Sequence, residues 1–305
     1  MKYKLIILFL FIATNIVAQT NMDALMMKKN ELCTGISYAT NQWTNYWETT
    51  LKRENLNLGK VTTNSIMPMA NYGITNNLNV LAMAAYTTTK ATAGQLAGQQ
   101  GMQDAAITLK YKAYQKTIKK GILKAFVLAE ATTPISNYTP DIMPLSIGLK
   151  CKTAQLKLMV NYQYLQWFAT ISNSFIYRGN VKLDRNTYYT TELHYTNQVA
   201  MPNVNNVNGR VGYRNAHIIV EVIVNNWNTL GGFDITRNNM PFVSNNMDAT
   251  TLGLHTKYIA KFLKGLTFDA DINTTISGRN VGQTNQIVVG AFYFFNVAKG
   301  KIKTT

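Results

Sequence analysis

Three histidines, two cysteines and a scatter of carboxylates and amines are the side chains in this 305-residue sequence that could carry chemistry. A metal centre needs several such ligands converging at about 2.0–2.3 Å from one ion. His194, His217 and His255 lie in three separate segments, each at a polar-face position, so the spacing predicts lumen-facing polar residues rather than a metal site. Cys33 and Cys151 are too few for a disulfide scaffold or a Cys-rich metal site; the expectation is free thiols, buried or lipid-facing. Nucleophilic hydrolysis would need a serine held beside a base, and no Gly-x-Ser-x-Gly elbow occurs. There is no P-loop and no dinucleotide fingerprint. The sequence reads as a non-enzyme with no cofactor and no metal.

What remains is charge laid down with a period of two. From Leu266 onward, Leu266, Phe268, Ala270, Ile272 and Ile276 point one way, while Thr267, Asp269, Asp271, Asn273 and Thr275 point the other. Successive side chains of a strand face opposite sides of the sheet, so this segment has one apolar and one polar face. The same alternation runs through 103–113, 145–151, 155–164, 207–214, 217–225 and 251–260. Lys124, Arg210, Glu221, Asp269 and Asp271 are therefore candidate residues of a polar lumen, and Asp104, Glu130 and Glu192 join them as lumen acids. Other lysines gather where turns are expected: 110–124, 150–157, 257–264 and 299–303. These mark either a positive vestibule or a solvated rim.

Composition narrows the class. Charged residues make up 14%, against about 25% in soluble domains. Polarity comes instead from 34 Asn and 36 Thr. The net charge of +16 is spread in pairs, without an Arg-rich stripe, which argues against nucleic acid as a partner. Residues 1–18 read as a signal peptide: Lys2 and Lys4, an apolar run from Leu5 to Ala13, and a cleavage site after Ala18. That run is far short of the roughly 20 residues a spanning helix needs.

Connections predicted from the pattern alternate in length. Short turns are expected at 75–77, 116–121, 152–154, 214–215 and 261–265, and long loops at 43–59, 91–103, 133–143, 197–206, 226–247 and 278–285. Short turns at one end and long loops at the other are the signature of an outer-membrane barrel. A secreted β-sandwich also alternates. The high strand number, tyrosines near strand ends on the apolar face (Tyr86, Tyr111, Tyr162, Tyr213, Tyr258, with Tyr72, Tyr164 and Tyr195) and mid-strand charges favour the barrel.

The final strand, 285–297, carries Ile287, Val289, Ala291, Tyr293, Phe295 and Val297 on one face. It resembles the C-terminal signal strand of outer-membrane barrels, which implies recognition by the barrel-assembly machinery. The usual terminal aromatic is replaced here by a basic tail. Asn71 to Tyr86, Gly101 to Tyr114 and the Ala131-Thr132-Thr133-Pro134 loop resemble the MetA-pathway transporter-like family of phenol degradation. Tyr72-Gly73-Ile74-Thr75 and Asp104 to Tyr111 carry the match, which covers about half the chain. The resemblance implies passage of small, often hydrophobic molecules.

The expected organisation is a signal peptide over 1–18, a periplasmic segment over 19–31, a barrel over 32–298 and a basic tail over 299–305. The fold class is all-β: a transmembrane antiparallel up-and-down β-barrel of 12–14 strands, with fourteen as the direct count. The expected location is the cell outer membrane. The expected partners are outer-membrane lipid, the assembly machinery and a small solute, with no nucleic acid. Function reads as a passive channel for small, hydrophobic or aromatic solutes. The alternative is a non-transporting structural or secretion-apparatus barrel that binds partners through its loops.

Overall fold

The computed structural model of the chain describes residues 23–235 and 241–297. The expected signal peptide with its cleavage point, and the tail from Lys299, lie outside the described residues. Twelve antiparallel strands build the wall: β1 (Glu31–Trp43), β2 (Val61–Gly73), β3 (Leu78–Met83 continued by Tyr86–Ala91), β4 (Gln100–Met102 continued by Asp104–Ile118), β5 (Gly121–Pro134) and β6 (Thr153–Tyr164) form the first half. The second half is β7 (Trp167–Arg178), β8 (Val204–Arg214), β9 (Ile218–Thr229), β10 (Asp248–Ile259), β11 (Leu266–Arg279) and β12 (Asn285–Asn296). Each strand pairs with its sequence neighbour.

β1 pairs on one side with β12, from Glu31↔Asn296 to Gln42↔Asn285, and on the other with β2, from Leu32↔Tyr72 to Trp43↔Val61. The sheet thereby closes on itself, and closure leaves no edge with unpaired N–H and C=O groups. β3 breaks at Ala84-Ala85 and β4 at Gln103, opposite Pro68 of β2. Proline has no N–H to give a ladder. The break is bridged by Gln103 N–H donating to Ala85 O at 2.7 Å and Ala84 N–H donating to Pro68 O at 3.3 Å.

The alternation places side chains as its period requires. On β9, Ile218, Val220, Val222 and Val224 face outward while Ile219, Glu221 and Ile223 are buried inside. Val211, Val222 and Leu254 are register neighbours on three adjacent strands and are all exposed on the exterior. An outer wall this apolar would be costly in water, at about 25 cal/mol per Å², and suits lipid. Trp167, Tyr162 and Tyr258 lie exposed at the short-turn end, with Tyr213 half-buried against Trp167, where an aromatic girdle meets headgroups.

The strand number is twelve, within the expected range of 12–14, and the direct count of fourteen is too high for two reasons. The alternating stretch 145–151 is not a strand. Leu145, Ile147 and Cys151 are buried, but by loop packing, and the expected turn at 152–154 is instead the end of a long loop, 135–152, and the start of β6. Beyond β7 the chain makes no spanning pair before β8. It forms two short ladders, Val181–Lys182 with Gln198–Val199 and Tyr188–Tyr189 with Leu193–His194. Period two reports alternate burial, not a ladder, and an extended loop pinned on one side shows it as well.

The long loops pack together at one end. Cys151, Val181, Leu183, Tyr188, Phe242 and Val243 come from three different loops and form a small apolar core. The hydroxyl of Tyr138 donates to Asp104 Oδ1 at 2.8 Å and accepts from Lys150 N–H at 2.7 Å. Burial, reinforced by Asp104, pushes the Tyr138 phenol well above its ordinary range. Burial also raises the Cys151 thiol. Both cysteines are buried, and no disulfide joins them.

Candidate functional site

The interior wall is divided by charge. β12, β1, β2 and β3 turn small or apolar groups inward, among them Gly290, Phe292, Ser37, Met67, Met69 and Leu81. β4 to β11 turn in nearly all the ionic groups. Strand parity sets this division, since each inward residue sits two positions from the next along its strand.

Four of the five lumen candidates take part in ion pairs there. Arg210 Nη1 donates to Glu221 Oε1 at 2.8 Å, and both side chains are buried. Asp271 lies 2.8 Å from His255 Nδ1, and His255 Nε2 is 4.0 Å from Glu221. Asp269 is 3.4 Å from Lys257 Nζ. The ladder makes this belt, because Glu221↔His255 and His255↔Asp271 are register pairs across β9, β10 and β11. Lys124 sits on β5 near the short-turn end, and among the described residues no ion pair joins it to the belt. Asp104 is held by Tyr138, and Glu130 accepts from Thr108 Oγ1 at 2.6 Å.

Three expectations are corrected. His194 stacks on Tyr188 in a loop at 4.6 Å, and His217 lies in the β8–β9 turn; only His255 faces the lumen. Glu192 is an exposed loop residue. Lys150 and Lys152 lie at the long-loop end, not at the short turns. In each case local alternation continued past the point where the ladder stops.

Two cavities flank the belt. One of about 420 Å³ is lined mainly by amides and hydroxyls, including Asn206, Asn208, Asn225 and Asn273. The other, about 220 Å³, lies toward the neutral wall and reaches Asp23. Arg210 and Asp271 line both. Above them the loops enclose a cleft of about 820 Å³ with Trp43, Tyr46, Arg53 and Glu54 on its walls.

The feature with no signal in the sequence is the segment before β1. Residues 23–30 cross the lumen at the short-turn end. Ala24 packs with Phe126, Leu128 and Met159 on one wall, and Met27 with Cys33, Phe292 and Phe294 on the other. Lys110 Nζ, fully buried, donates to Asp23 O at 2.6 Å and to Asp23 Oδ1 at 3.0 Å. Lys257 Nζ is 3.9 Å from Asp23 Oδ2. The strap is tied to the rim by Asn30 N–H to Gly73 O at 2.8 Å and Lys29 N–H to Asn76 Oδ1 at 3.0 Å. The parity of β4 and β10 points Lys110 and Lys257 inward, but nothing local marks Asp23 as their partner.

No protein-family model matches the sequence, and no curated protein matches it. Among solved structures, the COG4313 outer membrane channel from Pseudomonas putida F1 superposes with a TM-score of 0.71 at 13% identity, over 92% of this chain and 100% of that one. The translocator domain of the autotransporter NalP from Neisseria meningitidis gives 0.47 at 12% identity, over 86% of this chain and 87% of that one. The KdgM porin complexed with oligogalacturonate gives 0.43 at 8% identity, over 86% and 99%. The first likeness is one of fold: this chain is an outer-membrane-type β-barrel. The other two are too distant to argue from.

Proposed function

We propose that the protein is a passive outer-membrane channel for small solutes, with hydrophobic or aromatic molecules as the class suggested by its resemblance to MetA-pathway transporters. One observation carries this reading: an exterior of exposed Val, Leu and Ile surrounds an interior with two polar-lined cavities that share Arg210 and Asp271. Such a wall separates lipid from a polar route. A solute entering the loop cleft would meet amide groups first, then the ionic belt, then the strap. Fixed charges at a narrowing select by sign and size.

The strap supports a second reading, a barrel with a filled lumen that works through its loops. Planar-bilayer recording and liposome swelling with the purified protein discriminate the two. The channel reading expects ion conductance and entry of small aromatic solutes; a folded barrel with neither would favour the second.

A further inference from the structure

We propose that Lys110 and Lys257 form a carboxylate-binding site which the chain's own Asp23 fills, and that a small apolar carboxylate takes the same place when the strap withdraws. The proposal rests on the channel reading and names a solute class for it.

The site is already shown holding a carboxylate. Asp23 presents Oδ1 to Lys110 and Oδ2 toward Lys257, on facing parts of the wall. Lys110 is fully buried and lies 5.8 Å from the centre of the Phe126 ring. A buried ammonium is retained where an anion accompanies it, so leaving the strap's carboxylate without a replacement is unfavourable. A solute carboxylate restores the pair.

Asp269 stands 3.4 Å from Lys257, so part of that lysine's charge is already matched. Arg214 adds a further positive charge acting on Asp23 and Lys110, so the surroundings favour an anion. The body of the solute is set by the adjoining cavity. Asp23 lines it together with Met67, Met69, Leu81 and Phe292 on the neutral wall, and the ionic belt with Glu130 forms its other side. Its volume, about 220 Å³, exceeds the roughly 150 Å³ that accommodates benzene. An acid head meets the two lysines, and an aromatic or short aliphatic body lies against the neutral wall.

The strap is a tethered competitor, and a tethered group acts at about millimolar effective concentration. Its removal should therefore tighten binding of a free carboxylate. The test is equilibrium dialysis of the folded, detergent-solubilised protein against benzoate and its neutral isostere benzamide. KCl conductance of the same preparations is recorded in planar bilayers. Asp23→Ala is expected to bind benzoate about tenfold more tightly than the native protein, with no gain for benzamide. Adding Lys110→Gln removes that gain; Lys257→Gln serves in its place if the first variant does not fold, judged by heat-modifiable migration. Equal gains for benzoate and benzamide, or a gain that survives the lysine substitutions, overturn the site. Displacement of benzoate by equimolar chloride overturns the carboxylate class. A benzoate gain without any conductance supports the site and refutes the channel.

Discussion

Val222→Arg is the sharpest probe of the barrel's outer surface. Val222 is half-exposed, lies within the outward run from Ile218 to Val224, and is flanked in register by Val211 and Leu254. The run covers about 20 Å of strand at roughly 3.4 Å per residue. An Arg here has no inward partner to reach, because Glu221 and Ile223 point to the other face. At the bilayer midplane such a substitution costs about 2–4 kcal/mol, falling to about 0–1 near the interface. Asn228 faces the same way, six residues further along β9 and beyond the apolar run. Asn228→Arg therefore serves as the depth control and should cost under about 1 kcal/mol. The assay is reversible guanidinium unfolding in lipid vesicles, following tryptophan fluorescence. A difference of about 2 kcal/mol or more between the two variants is expected. Equal costs would refute the assignment of this surface to the hydrocarbon core, and a native protein that stays monomeric in buffer without detergent would do so at once.

Glu221→Gln should destabilise the barrel by about 3 kcal/mol or more, since it leaves Arg210 buried without its charged partner; Arg210→Met with Glu221→Leu should recover most of the loss in the same unfolding assay. Gly73→Ala would drive a Cβ into Lys28 O, so the strap must shift; faster hydrogen exchange over residues 24–30 and a higher conductance are expected. In the loops, the paired hydrogen bonds from Arg279 to Asp234, at 2.8 and 2.6 Å, hold the Asp234 carboxyl below the usual aspartate range. A depressed folded-state value contributes stability above the ordinary aspartate pKa, about 4, and loses it as pH falls through the folded one. Pepsin cleavage in the loop following Thr229 should therefore accelerate only in strong acid, and Asp234→Asn should abolish that acid dependence.

The sequence by itself determined which residues face which way. Alternation is a property of the covalent chain, so the inward placement of Arg210, Glu221, Asp269 and Asp271 could be read from parity, and the direction of closure from short turns against long loops. It overcounted strands because 145–151 alternates in polarity without a ladder, a distinction that depends on hydrogen bonds to distant segments. His194 and Glu192 were misplaced in the same way. Only the tertiary structure decided that Arg210 meets Glu221 and that Asp271 meets His255, since pairing across strands depends on register. It alone decided that Asp23 meets Lys110, 87 residues away. No local pattern encodes that contact: residues 23–30 belong to no strand, and what holds them is the shape and charge of a lumen that exists only once the wall has closed.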